Sequence, residues 1–225
     1  MENQRLSIAY ASLWNLTATE VRDQVASISP APGGGSVSII TASFGVALLQ
    51  KGTNISLKRP AGDLARQQTL LDLQVKISSS MESLSRLADA DSSAFQSYVN
   101  ACSLPHATET EKAARKASMD ESLLCATQIP LESAAEMVRG LELAETAVKV
   151  ADAYVLSDIF AGALLLHASI RSVLLNVDAN LPGIPDVGVG EILKQQRAGL
   201  ERASTLRAEA VAEEFQTRVL AAITR

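Results

Sequence analysis

Residues 77–102 read ISSSMESLSRLADADSSAFQSYVNAC, and this stretch decides the fold. Apolar side chains recur in it three and four positions apart, the spacing that keeps them on one face of an α-helix. Asp91 stands where the next apolar residue of that series belongs, whereas Asp89 falls on the polar side. The stretch therefore predicts a long helix that directs one carboxylate toward the core. The apolar positions are Ile77, Met81, Leu84, Ala88, Phe95, Tyr98 and Cys102.

A carboxylate at the position of Asp91 needs an explanation. An ionised carboxylate that leaves water costs several kcal/mol unless it is paired or protonated. Asp91 could accept hydrogen bonds from a neighbouring helix and so have a structural role, or it could be a catalytic acid or base. The helical spacing alone supports both interpretations equally.

The composition favours an all-α protein. A chain of 225 residues with 47% hydrophobic content can bury a large core, and we predict a single domain over residues 1–225. Gly and Pro number only 12 and 7, and no Asn-Gly or Asp-Gly hairpin dipeptide occurs. The prediction is an antiparallel bundle of about seven helices.

Capping and proline signals set the predicted helix boundaries. Thr17 with Glu20 and Thr108 with Glu111 have the spacing of a capping box. Pro130 should break or kink a helix. The predicted helices cover residues 17–29, 37–49, 63–102 with an interruption near 78–80, 108–127, 131–150, 157–181 and 186–225, after an arm at 1–16 that packs on the rest.

Charge and cysteine usage argue against several classes of function. The formal net charge is −5 and the longest basic run is Lys58-Arg59, so we expect no nucleic-acid partner. Cys102 and Cys125 form no CxxC unit and the N-terminus lacks a secretion signal, which favours a reducing, cytoplasmic location.

The most apolar run, residues 159–177, is long enough to raise the question of a membrane span. His167 and Arg171 lie in its middle, which favours a buried helix and no membrane. With His106 as the only other histidine, no His or Cys cluster has metal-ligand spacing, and no metal is expected. GxSxG, HExxH and Walker A motifs are also absent from the sequence.

Two further features are candidates for binding. Gly33, Gly34, Gly35 and Ser36 precede a small-residue helix, so their amides could approach an anionic or polar ligand, or the glycines could simply let two helices cross closely. A second helix has a small, polar face that either packs on another helix or lines a cleft. That face comprises Asp158, Gly162, Leu165, Ser169, Ser172, Asn176 and Asn180.

The order of several short motifs resembles the cyclodeaminase/cyclohydrolase family. This family comprises the C-terminal domain of formiminotransferase-cyclodeaminase and stand-alone bacterial methenyltetrahydrofolate cyclohydrolases, and the resemblance extends from about residue 13 to 186. Its motifs here are Pro32-Gly33-Gly34-Gly35-Ser36, Asp89-Ala90-Asp91 with Ala94-Phe95, Leu104-Pro105 followed by Thr108, Glu111, Lys112 and Arg115, Ser157-Asp158, Asn176-Val177 and Asn180-Leu181.

The resemblance implies an all-helical homodimer with a folate cleft near the subunit contact, a tetrahydrofolate substrate, and no metal or other cofactor. It identifies Asp91 as the acid/base. Asp158, Asn176 and Asn180 are then candidates for hydrogen bonds to the pterin or for orienting Asp91. The amides of residues 33–36 and the basic side chain of Lys58 are further candidates for substrate binding.

The chain departs from the family pattern at three places. Ala151 and Asp152 replace the usual Gly-Asn, His106 replaces a lysine, and residues 57–60 replace a Gly-Lys-Lys type of sequence, with Lys51 as a nearby substitute. Contacts with the folate tail and the preferred reaction depend on such positions.

Hydrolysis of 5,10-methenyltetrahydrofolate is the expected reaction, because no formiminotransferase domain accompanies the sequence to feed a cyclodeaminase. The alternatives are a formiminotetrahydrofolate cyclodeaminase that releases ammonia, and a non-catalytic folate-binding or helical assembly protein.

Overall fold

The computed structural model describes residues 12–59 and 63–223, and in that part of the chain it contains helices and no strands. The predicted all-α class is confirmed. Most of the predicted N-terminal arm, residues 1–11, lies outside the described residues. The α-helices are α1 (Ala18–Val25), α2 (Gly34–Leu57), α3 (Leu64–Cys102), α4 (Glu109–Val150), α5 (Leu156–Asn180) and α6 (Val187–Ile223).

Side-chain caps start three of these helices. The hydroxyl of Thr17 accepts the N–H of Glu20 at 3.2 Å while the Glu20 carboxylate accepts the N–H of Thr17 at 2.7 Å. Thr108 and Glu111 make the same reciprocal pair before α4. Asp63 caps α3 by accepting the N–H of Ala65 at 2.9 Å. Both predicted capping boxes are confirmed, since each satisfies backbone donors that the first helical turn leaves free.

The α4 helix is continuous, so the described residues form six α-helices where we predicted about seven. Pro130 lies inside α4 and is buried, as are Leu131 and Ala134 beside it. Proline removes one helical hydrogen bond but does not forbid helix on both sides. The packing of this segment against the core holds the two predicted pieces in one helix.

Three other boundaries differ from prediction. The α1 helix ends at Val25, four residues early, and α2 begins at Gly34 and runs to Leu57. The serine run in α3 causes no interruption. The hydroxyl of Ser78 donates to the carbonyl of Gln74 at 3.0 Å and that of Ser80 to Glu136 at 2.7 Å, so these side chains find partners without breaking the helix.

The α5 helix lies at the centre of the bundle, packed against α2, α4 and α6, while α3 packs on α2 and α4. Among the described helices, only the α5 segment is both long and apolar enough to cross a membrane. Its small face packs along α2, where a Cβ added to Gly162 would lie 2.5 Å from the carbonyl oxygen of Gly45. The two glycines therefore permit this close helix crossing.

The segment before α1 packs on α3 at the polar side of that helix. Leu13 is buried and its N–H donates to Asp89 at 2.9 Å, and the indole N–H of Trp14 donates to the carbonyl of Ser85 at 3.0 Å. Asp89 thus helps to hold residues 12–16, the described segment before α1, against α3. Asp91 points elsewhere, as the helical spacing predicts.

The apolar face of α3 leaves the core at Asp91. Exposure along this face rises from 0% at Ala88 to 9% at Asp91 and 40% at Phe95. The prediction that Phe95 continues the buried face is wrong. Because α2 begins level with Asp91, the next turn of α3 has no part of α2 opposite it.

Candidate active site

A cavity of about 220 Å³ lies where the N-terminus of α2 meets α3, α4 and the end of α5. Among the described residues that line it, Asp91 is the only ionisable one. The structure therefore places this titratable carboxyl group among uncharged side chains, some polar and some apolar. The lining residues are Pro30, Ala31, Gly33, Gly34, Gly35, Ser36, Asp91, Ser92, Phe95, Ala126, Asn176, Ala179 and Asn180.

Asp91 is buried and has a raised pKa. Its side chain accepts a hydrogen bond of 2.8 Å from the hydroxyl of Ser36, which is itself fully buried. Burial disfavours the charged carboxylate and raises the pKa of Asp91, while the side-chain and backbone hydrogen bonds of Ser36 lower that pKa to a smaller extent. A carboxyl group in this setting can exchange protons closer to neutral pH than an exposed aspartate can.

The N-terminus of α2 interacts with Asp91 itself. Gly33 is the N-cap residue and makes no side-chain capping bond, so another group must serve the first turn. Asp91 supplies a carboxylate there from across the bundle, next to the positive end of the helix dipole. Ser36, predicted to bind substrate, therefore contacts the candidate acid directly.

Gly35 allows Asp91 and Asn176 to approach α2. A Cβ at Gly35 would lie 2.4 Å from Nδ2 of Asn176 and 2.5 Å from each carboxylate oxygen of Asp91. Real Cβ atoms do not approach so closely, and only glycine leaves this space open. The carboxylate and the amide consequently share one small region of the cavity floor.

Asn180 borders the cavity in a different way. Its side-chain amide donates to the carbonyl of Ala126 at 3.0 Å. The structure therefore brings together the predicted site residues at the N-terminus of α2 with Asp91 of α3 and with Asn176 and Asn180 of α5. Asn176 faces Asp91, while Asn180 links α5 to α4.

Two predicted site residues lie elsewhere. Asp158 forms an ion pair of 2.9 Å with Lys51, and Lys58 is an exposed residue at the C-terminal cap of α2. Because α2 has 24 residues, at about 1.5 Å per residue its two ends are about 36 Å apart. Neither side chain lines the cavity.

A family model described as formiminotransferase-cyclodeaminase matches residues 17–198. The chain belongs to this family. The suspected relationship is confirmed, and the matched residues include every residue that lines the cavity. Most of α6, from residue 199 onward, lies outside the match.

Similar proteins in the family have two kinds of name. A methenyltetrahydrofolate cyclohydrolase of Methylorubrum extorquens is 31% identical over 189 residues, which cover 83% of this chain and 89% of that protein. A formimidoyltransferase-cyclodeaminase of Gallus gallus is 32% identical over 163 residues, 70% of this chain but only 29% of that protein. The chain therefore spans most of the first relative and under a third of the second.

A solved structure shows the same fold. The formiminotetrahydrofolate cyclodeaminase of Thermotoga maritima superposes with a TM-score of 0.76 at 20% sequence identity, covering 93% of this chain and 98% of that one.

The departures from the family pattern lie outside the cavity. Asp152 pairs with Arg66 at 2.9 Å, so in this family member a charged pair stands where the pattern has Gly-Asn. The carbonyl of the buried Ala151 accepts a hydrogen bond of 2.8 Å from Arg218. His106 is exposed beyond the end of α3. None of the three contacts Asp91.

Sequence reasoning missed several cavity residues. Phe95 lies four residues after Asp91 on the same helical face, and that relationship could have identified it once the face was known to leave the core. Ser92 follows Asp91 directly and lies three residues before Phe95, at the edge of that face. Ala126 and Ala179 give no such signal, because alanine is common on every helix of this chain. The loop residues Pro30 and Ala31 complete the wall.

Proposed function

We propose that the protein hydrolyses 5,10-methenyltetrahydrofolate to 10-formyltetrahydrofolate, with Asp91 as general acid and base. The observation that carries this proposal is the buried carboxyl group of Asp91, with its raised pKa, on the floor of a cavity whose other lining residues, in the part of the chain that the structure describes, are not ionisable. The similar cyclohydrolase of M. extorquens, which the chain matches over most of its length, supports the choice of substrate.

The cavity suits a cationic substrate. The methenyl bridge joins N5 and N10 of the folate and shares one positive charge between them. A carboxylate beside the bridge carbon stabilises that charge, and a partly dry setting strengthens the interaction. Over residues 12–59 and 63–223, no lysine, arginine or histidine lines the cavity to oppose it.

Asp91 has a defined role in each half of the hydrolysis. As a base it takes a proton from the water whose oxygen forms a bond to the bridge carbon, giving a neutral tetrahedral carbon. As an acid it returns this proton to N5 while the bond between N5 and that carbon breaks. The hydroxyl proton is lost to solvent, and the formyl group stays on N10. Proton transfer of this kind contributes roughly a hundred- to ten-thousandfold in rate.

A second reaction, cyclodeamination of 5-formiminotetrahydrofolate, is supported by the relatives that bear the cyclodeaminase name. Here N10 attacks the carbon of the protonated, cationic formimino group on N5, which becomes an amino group, and Asp91 takes the proton from N10. Asp91 then delivers a proton to the leaving nitrogen, ammonia departs, and the methenyl bridge forms. One acid/base group serves both reactions because each passes through a carbon that carries three heteroatoms.

Two assays with purified protein distinguish these reactions. Loss of methenyltetrahydrofolate absorbance above the uncatalysed rate supports the cyclohydrolase. Release of ammonia from 5-formiminotetrahydrofolate supports the cyclodeaminase. If both rates equal the background while the protein still binds a folate, the third alternative, a non-catalytic folate-binding or helical assembly protein, replaces both.

The proposal includes a homodimer. The adjacent helices α2 and α5 carry large exposed apolar side chains at Phe44, Leu164 and Leu175, which a second subunit could cover. Lys58, at the far end of α2, could serve a ligand only in the cavity of a partner subunit. Light scattering on the purified chain tests the dimer, since a monomeric mass at assay concentration contradicts it.

We further propose a cytoplasmic protein that uses no metal, no cofactor beyond the tetrahydrofolate substrate, no nucleic-acid partner and no membrane. The net charge of −5 and the two free cysteines support this proposal. In the described part of the chain, His, Cys, Asp and Glu side chains form no group of three that could hold a metal ion.

A further inference from the structure

Phe95 stands at the mouth of the cavity above Asp91. Both residues line the cavity, but Phe95 is 40% exposed and Asp91 only 9%. They are four residues apart on α3, which corresponds to about 6 Å along the helix axis. The face of α3 thus leads from a buried acid at the floor to an exposed aromatic ring at the entrance.

The size and charge of the cavity fix how a folate can enter. A volume of about 220 Å³ is below the range of roughly 300–1,000 Å³ that encloses a drug-sized ligand, so only part of the molecule fits inside. The glutamate end of a folate carries carboxylates, which the carboxylate of Asp91 repels and which no cation among the described lining residues attracts. The pterin therefore enters first, and the glutamate end points toward solvent.

We infer that Phe95 binds the p-aminobenzoyl ring of the tetrahydrofolate substrate by stacking against it at the cavity mouth. This inference rests on the proposed function. The p-aminobenzoyl ring is bonded directly to N10, one of the two nitrogens at the reacting carbon. With that carbon at Asp91, the ring comes to lie about one helical turn further out, where Phe95 is.

Phe95 is the lining residue whose side chain is suited to stacking on an aromatic ring. It is the only aromatic residue among the described residues that line the cavity, and the lining also includes the small apolar residues Ala31 and Ala179. An aromatic pair in offset or edge contact gains more than its buried area alone provides. Phe95 therefore acts as a positioning residue, which orients the bridge carbon over Asp91 and transfers no proton.

Calorimetric binding of two probes to variants of the full chain tests the inference. The probes are 5-formyltetrahydrofolate and 6-methyltetrahydropterin, which lacks the p-aminobenzoylglutamate. We expect Phe95→Ala to weaken folate binding roughly tenfold and to leave tetrahydropterin binding unchanged. Phe95→Tyr, which keeps the ring, should stay within about threefold of wild type. In the enzyme assay Phe95→Ala should raise KM and also lower kcat, because the bridge carbon is less well oriented over Asp91.

Leu206→Ala is the matched control, because Leu206 is an exposed apolar residue of α6 away from the cavity. It should bind both probes as wild type does. Three outcomes would overturn the role of Phe95 and leave the proposed function standing. They are equal folate affinity of Phe95→Ala and wild type, an equal loss of affinity for both probes, and a change of oligomeric mass with no change in affinity. A wild-type protein that binds no folate overturns the proposed function as well.

Discussion

Asn180 donates a hydrogen bond of 3.0 Å from its side-chain amide to the main-chain carbonyl of Ala126. In an uninterrupted helix that carbonyl would accept the N–H of residue 130, but residue 130 is proline and has none. The α5 helix therefore replaces the hydrogen bond that α4 lacks. Since Ala126 and Asn180 both line the cavity, this repair also fixes one of its walls.

Replacing Asn180 with Ala should destabilise the protein mainly through the carbonyl of Ala126. A carbonyl left unpaired in a partly buried position costs about 1–2 kcal/mol. We expect urea denaturation to show a loss of unfolding free energy of this size in the wild-type background. In a Pro130→Ala background, where residue 130 regains its N–H, the same replacement should cost less than about half as much.

The double-mutant cycle separates this account from a simple loss of packing. An equal cost of Asn180→Ala in both backgrounds would show that Asn180 and Pro130 are independent, and the hydrogen bond would then be incidental. Both variants should keep the helical circular-dichroism spectrum of the parent.

Gly35→Ala should remove activity while the protein remains folded. The added Cβ would meet Nδ2 of Asn176 at 2.4 Å and the carboxylate of Asp91 at 2.5 Å, so both groups must move. Displacement of a reacting group by about 1 Å can reduce the rate roughly a hundredfold, and we expect a loss of at least that size in kcat/KM.

Gly199→Ala is the control for this prediction. Gly199 lies within α6, and a Cβ there would meet no atom within 4 Å apart from its chain neighbours and the backbone of its own helix. Alanine favours a helix over glycine by about 1 kcal/mol, so this variant should be slightly more stable and fully active. Gly35→Ala should gain less stability, or lose some. Wild-type activity in Gly35→Ala would contradict the proposed geometry of the cavity floor.

The sequence contains enough information to predict the parts of the fold that depend on local chemistry. The capping boxes at Thr17 and Thr108 and the helical face of residues 77–102 are local patterns, and the structure agrees with them. Asp91 could be singled out for the same reason, since one charged residue in an apolar series is visible without knowing what faces it.

What the sequence could not provide are relationships across helices. Pro130 is a helix breaker by local rules, and only the packing around it together with Asn180 shows how α4 continues. Phe95 fits the buried pattern, but α2 begins too late to cover it. The distance between Lys58 and the cavity follows from the unbroken length of α2, which a sequence with three glycines at one end does not reveal.

Ser36→Ala should shift the pH dependence of catalysis upward. Burial raises the pKa of Asp91, and the hydrogen bond from Ser36 lowers it, because the hydroxyl stabilises the ionised form. Without that hydroxyl the pKa rises further, so the basic form of Asp91 is lost at a higher pH. The acidic limb of the kcat/KM profile should move to higher pH.

Ser38→Ala provides the comparison for this shift. The hydroxyl of Ser38 is also on α2, but it donates to the carbonyl of Gly34 at 2.6 Å and makes a second hydrogen bond of 2.8 Å with the hydroxyl of Ser172. Its removal should leave the acidic limb where wild type has it. A limb that moves to lower pH in Ser36→Ala would mean that Ser36 stabilises the protonated form of Asp91, and the assignment of donor and acceptor would be wrong.

Asp91→Asn should separate the catalytic role of this residue from its effect on stability. Loss of the proton-transfer group should lower kcat by roughly a hundred- to ten-thousandfold. The pKa of Asp91 is higher in the folded protein than in the unfolded chain, so protonated Asp91 stabilises the fold. This stabilisation is fully present below the ordinary pKa of aspartate and is lost as the pH rises through the raised pKa. Asparagine does not titrate and escapes that loss. The variant should therefore gain thermal stability relative to wild type between acidic and neutral pH, as scanning calorimetry at several pH values can measure. A variant that is inactive but also increasingly less stable than wild type as the pH rises would show that the ionised carboxylate stabilises the fold, and Asp91 would then be a structural residue.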